Sequence, residues 1–128
     1  MTVHLLSVPN TQPTHAYELD GFCLRTLLFA KLLKRLGHTV LLYGVGLECE
    51  VAVDAFVSCM TVEQWKGFLG DRPYQTVPFE QSPLFLQFNT QAAHHIGTIK
   101  KAGDIICTIA GSAQQWISEW HPELPFLE

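Results

Sequence analysis

Two short segments hold the residues whose types and spacing could do chemistry. The first is PNTQPTHAYELDG, residues 9–21, in which Asn10, Thr11, Thr14, His15 and Tyr17 crowd hydroxyls, an amide and an imidazole between an apolar run and a long helical pattern. Side chains of this kind suit hydrogen bonding to a hydroxyl-rich ligand, and His15 is the candidate general base or substrate contact. The alternative for His15 is a plain solvent-exposed histidine. The second segment is IAGSAQ, residues 109–114, where Gly111, Ser112 and Gln114 fall between an apolar run and a helical pattern. Free backbone N–H groups at such a helix start could receive a hydroxyl, carboxylate or phosphate, unless Gly111 merely turns the chain and Ser112 caps the helix.

Other arrangements fail on context. Gly44 and Gly46 in YGVG follow a strand pattern, but no helix opens directly behind them, so the dinucleotide fingerprint is not met; a Walker A pattern is not found either. Ser7 and Ser112 lack the GxSxG setting of a hydrolase nucleophile. Of six histidines, His94 and His95 are adjacent and point about 100° apart on a helix, so they do not share one ion. No metal site and no catalytic constellation are therefore expected. Cys23, Cys49, Cys59 and Cys107 form no CxxC pair, and all but Cys49 lie in apolar runs. Reduced thiols and a cytoplasmic setting follow as the expectation, with no structural zinc.

The elements that must position these residues follow from periodicity. VHLLSV (3–8) is a short buried strand ending at Pro9. Asp20 is an N-cap and Gly37 a C-terminal glycine for a helix over GFCLRTLLFAKLLKRL. Phe22, Leu24, Leu27, Leu28, Leu32, Leu33 and Leu36 occupy most of that helix's circumference, which predicts heavy burial. A strand over 38–44, a third near 55–59, a short helix capped by Thr61 and Gln64, a proline-rich loop over 70–83 and a helix from Leu84 come next. A strand over 104–109, a helix from Ala113 to about Trp120 and a strand starting in LPFLE complete the order. Such alternation implies an α/β fold: one Rossmann-like parallel sheet with helices on both faces, with ligands beyond the carboxyl ends of its strands. The chain is expected to be one domain. Its apolar closing segment HPELPFLE suggests the first part of a longer protein.

Composition narrows the function classes. A hydrophobic fraction of 48% supports a packed core, and a net charge of −4 argues against a general nucleic-acid surface. The longest apolar run is broken by Arg25, Lys31, Lys34 and Arg35, so no membrane span is expected.

LLSVPNT and HAYELDGFCLRTLLFAKLLKRLGHTVLLYG together resemble the opening of GT-B glycosyltransferases, especially the group-4-like enzymes of bacteria and phages. Leu33 to Val40 match the family's signature at the end of its first helix. Pro9, Thr11, Thr14 and Tyr17 match a first-loop pattern of one subset, with Asn10 standing where that subset has histidine. The stretch from FNTQAAHHI to HPELPFLE is similar to the same subset. The resemblance implies an N-terminal, acceptor-side domain over 1–128, with contacts from Asn10, Thr11, Thr14, His15, Tyr17, Gly111, Ser112 and Gln114. It implies sugar transfer from a nucleotide-sugar to a hydroxyl of a sugar, lipid, protein or nucleobase acceptor, with no obligatory metal. The nucleotide-sugar would bind a C-terminal donor domain, so this chain alone is expected to be inactive. The surface that such a partner domain would cover offers a route to a homodimer. The alternative is a stand-alone flavodoxin-like α/β module that binds a ligand or partner without catalysis.

Overall fold

A computed structural model describes residues 1–17, 20–76, 82–110 and 114–128, excepting the side chains of His15 and Gln75. The strands are β1 (Thr2–Leu6), β2 (Thr39–Val45), β3 (Ala55–Met60), β4 (Ile105–Thr108) and β5 (Phe126–Leu127). The helices are α1 (Gly21–Arg35), α2 (Val62–Leu69), α3 (Pro83–Ile99) and α4 (Ile117–Trp120), with short 3-10 turns at His15–Tyr17 and Tyr74–Thr76. The five strands form one all-parallel sheet in the order β3-β2-β1-β4-β5. This is the expected α/β, Rossmann-like architecture. LPFLE supplies the fifth strand, pairing Phe126 with Ile106 and Leu127 with Cys107.

Both faces of the sheet are apolar, as parallel pairing requires. On one face Val3, Leu5, Val40, Leu42 and Cys107 pack with Ala30 and Leu33 of α1. On the other, Leu6, Tyr43, Val45 and Ile106 pack with residues of α2, α3 and α4, among them Trp65, Phe88, Ile96 and Ile117. β1 lies between β2 and β4, so the loop leaving it emerges at the centre of the carboxyl edge.

The caps form as local chemistry dictates. Asp20 Oδ1 accepts from the N–H groups of Phe22 and Cys23 at 3.1 and 3.0 Å, and Gly37 leaves α1 at φ +88°. Thr61 and Gln64 form a reciprocal capping box at α2. Gly44 is needed for a different reason: a Cβ there would meet the Phe56 ring at 2.9 Å and Pro13 at 3.1 Å, so β2 admits the first loop only without a side chain.

One expectation is corrected. Helix α1 is not buried around its circumference: Cys23, Thr26, Leu27, Ala30 and Leu33 face the sheet, whereas Leu24, Leu28, Leu32 and Leu36 are exposed. Among the described residues α1 is the one helix on that face, so the outer leucines meet no second layer there. Smaller differences concern boundaries. β1 ends at Leu6, α3 begins at Pro83 and ends at Ile99, and α4 begins at Ile117 after a turn.

Candidate functional site

The first loop is held at its root. Trp65 Nε1 of α2 donates to the Pro9 carbonyl at 2.8 Å, which ties the end of β1 to a helix 56 residues away. Asn10 follows, only 6% exposed, and its Nδ2 donates to Asp20 Oδ2 at 3.3 Å. That contact sets the amide orientation, because the flipped form would face an oxygen against a carboxylate. Asn10 Oδ1 is thereby directed elsewhere, and it is buried with no hydrogen-bond partner among the described residues. A buried acceptor left unsatisfied costs about 1–3 kcal/mol, so a donor from a ligand or solvent at this atom would be stabilising.

Around Asn10, Thr11 is buried and Thr14 half-buried. Gln12 Nε2 donates to the Tyr17 hydroxyl at 3.4 Å. Tyr17 meets Trp65 and Tyr74 edge-on, with ring centroids 5.7 and 5.3 Å apart. Aromatic packing therefore holds the far end of the loop against α2. The His15 backbone lies in the 3-10 turn, and its side chain lies outside the described residues. Gly111 and Ser112 lie outside them as well.

Gln114 is brought to the same edge, where it joins the ends of β1 and β4 to α3. Its Nε2 donates to the Ser7 carbonyl at 3.0 Å and to Asn89 Oδ1 of α3 at 2.9 Å, while Oε1 accepts from the Thr108 hydroxyl at the end of β4. Thr108 Oγ1 in turn accepts the Ala110 N–H at 3.0 Å, and the Ser7 hydroxyl donates to the Tyr43 carbonyl at 2.7 Å. Gln114 is fully buried, with both amide hydrogens used internally. In this arrangement its amide is committed to holding the strand ends and α3 together.

A second buried polar cluster lies below that edge. His4 Nε2 is 2.8 Å from Asp104 Oδ2, and His4 Nδ1 is 2.7 Å from the Tyr43 hydroxyl. One neutral tautomer satisfies both contacts: Nε2–H donates to the carboxylate and Nδ1 accepts from the phenol. Burial, then the neighbouring Cys59 and Asp104, raises the Tyr43 hydroxyl well above its usual range. The series resembles an acid–base relay, but His4 and Tyr43 are fully buried and Asp104 nearly so. Its role is to tie β1, β2 and the entry to β4 together. His121 acts similarly: Nε2 contacts the Ala93 carbonyl and Nδ1 the Lys100 ammonium, each at 2.9 Å. Lys100 also pairs with Glu123, so the HPEL segment anchors the end of α3.

His4, Asn89, Asp104 and Thr108 carry no motif. Their one sequence signal is a polar residue set inside an otherwise apolar strand or helix face, which must find a buried partner. Among the described residues, no group of three or more His, Cys, Asp or Glu is placed to hold a metal ion. A polar cleft of about 250 Å³ lies between β3, α2 and α3, lined in part by Ser58, Thr61, Gln87, Gln91 and His95. No helix among the described residues is long and apolar enough to cross a membrane. No protein-family model matches the chain, and no curated protein matches it at a significant level.

Proposed function

We propose that this chain is the acceptor-side domain of a glycosyltransferase that moves a sugar from a nucleotide-sugar to a hydroxyl acceptor, the donor being bound by a separate domain. The observation that carries the reading is the buried, unsatisfied Asn10 Oδ1 at the carboxyl edge of the central strand. A carbonyl oxygen in that position takes an O–H or N–H donor, which acceptor hydroxyls supply and a pyrophosphate does not. Support also comes from the loop itself: residues 9–20 contain no glycine, so a backbone cradle for a pyrophosphate is not available there. In this reading Asn10 binds and orients an acceptor hydroxyl, while Thr11, Thr14 and Tyr17 line its approach and His15 belongs to the same loop. Gln114, Asn89 and Thr108 keep the edge rigid.

The test is a backbone NMR titration of the 128-residue chain with a panel of methyl glycosides and a panel of nucleotide-sugars. Glycosides are expected to shift the amide signals of Asn10, Thr11 and Gln12, and Asn10→Ala to abolish those shifts. Saturable binding of a nucleotide-sugar at micromolar concentration, or sugar transfer by this chain alone, would overturn the proposal.

A further inference from the structure

Helix α1 carries two apolar faces, and only one meets the sheet. Leu24, Leu28, Leu32 and Leu36 follow one another at four-residue spacing and are 42%, 55%, 49% and 63% exposed. Twelve residues at about 1.5 Å each make this a ridge roughly 18 Å long. Beside it runs an open apolar groove of about 340 Å³, lined by Arg25, Leu28, Phe29, Leu32 and Ile109. The groove lies where the α1 face of the sheet passes from β1 towards β4 and β5. Phe126 of β5 packs on the opposite face, so Leu127 points to the α1 side, where it is half-exposed.

All-parallel sheets are covered on both faces, and here α1 is the one helix packed on its side among the described residues. A right-handed crossover extending the sheet beyond β5 would lie on the α4 side, and so would leave this groove open. A helix laid alongside α1 would close it, with the leucine ridge as one wall and Ile109, just past the end of β4, at its edge.

Charge selects among occupants. Helix α1 contains no Asp or Glu and holds Arg25, Lys31, Lys34 and Arg35, four of the eight basic residues in a chain of net charge −4. Lys34 is engaged by Asp54; Arg25 is exposed at the groove, while Lys31 and Arg35 are exposed on the other flank of the ridge, where Glu50 lies beside them. A symmetric pairing of α1 with α1 of a second copy would set these like charges against each other. We propose that the groove docks an amphipathic helix of another polypeptide, its aliphatic stripe against Leu28, Leu32 and Ile109 and its Asp and Glu flank facing Arg25 and, across the leucine ridge, Lys31 and Arg35. This does not depend on the glycosyltransferase reading.

The probe is a fluorescent helical peptide of roughly 18 residues, long enough to cover the ridge, with a leucine stripe flanked by glutamates. A second peptide carries lysines in place of the glutamates. The protein is the 128-residue chain and its Leu28→Asp/Leu32→Asp variant, which alters exposed positions only and whose fold is checked by circular dichroism. The glutamate peptide is expected to bind, to weaken in high salt, and to lose roughly thirty-fold or more in affinity with the variant. The lysine peptide is expected to bind at least about ten-fold more weakly. Equal binding of the two peptides, or unchanged binding by the variant, overturns the proposal. So does concentration-dependent dimerisation that the variant abolishes, which assigns the ridge to a second copy. Co-sedimentation with phosphatidylglycerol–phosphatidylcholine vesicles that the variant abolishes overturns it in favour of a lipid surface.

Discussion

Replacing Gln114 with leucine separates a structural role from a ligand-binding one. Leucine nearly conserves the volume but makes none of the three hydrogen bonds to the Ser7 carbonyl, Asn89 Oδ1 and the Thr108 hydroxyl. Asn89 and Thr108 are buried, so solvent does not readily replace the lost partner. Each orphaned group costs about 1–3 kcal/mol, and partial relaxation at the sheet edge brings the sum to about 3–5 kcal/mol. A domain of this size is stable by about 5–15 kcal/mol, so the loss is a large fraction of the total. With a urea slope of about 2 kcal/mol/M, the unfolding midpoint should fall by about 2 M. Adding Asn89→Leu removes the facing acceptor, and the double variant should recover about 1 kcal/mol or more relative to the sum of the single changes. A midpoint shift under about 0.5 M, or strict additivity, would refute the reasoning and return Gln114 to the pool of ligand contacts.

Three further outcomes are expected. Asn10→Ala removes one weak contact to Asp20 together with the orphaned oxygen, so stability should change by less than about 1 kcal/mol in urea unfolding while glycoside binding is lost; a large destabilisation would show that Oδ1 has a partner in the folded protein. Burial pushes the Cys59 thiol up to about 12, so mass spectrometry after alkylation at neutral pH should find it unmodified until the protein unfolds, and rapid native labelling would contradict the packing. The hydrogen bond from Lys34, then that from the Val40 N–H, holds the Asp54 carboxyl below its usual range. Its folded-state pKa is therefore depressed, and the stabilisation is present above the unfolded value of about 3.9 and lost as pH falls through the folded one. The stability gap between the protein and Asp54→Asn should accordingly stay flat near neutrality and shrink in acid, and a gap that widens in acid would reverse that sign.

The order of elements was legible because the local signals agree. Asp20 and Gly37 bracket α1, Thr61 and Gln64 box the start of α2, and the short apolar runs read as buried parallel strands. Long-range partnership was not legible. Nothing around His4 announces Asp104, and nothing around Gln114 announces Asn89 or Ser7, because these bonds join residues 100, 25 and 107 positions apart. The burial of α1 was misjudged for a related reason. Periodicity reports which faces are apolar, but whether a second layer covers the outer face depends on the route of the rest of the chain. In the first loop, the residue types suggested hydroxyl recognition, whereas the unsatisfied oxygen of Asn10 emerges only once Asp20 holds the other half of its amide.

The bond between His4 and Asp104 also bears on how the chain acquires its shape during synthesis. The first strand emerges from the ribosome first, yet it is the central strand, and its histidine meets its carboxylate only 100 residues later. At about 5–20 residues per second, that interval lasts roughly 5–20 s. Until then the nascent β1-α1-β2-β3 unit has an open edge and an imidazole that lacks its carboxylate in an otherwise apolar strand. Completion of the core is thus timed by the arrival of β4.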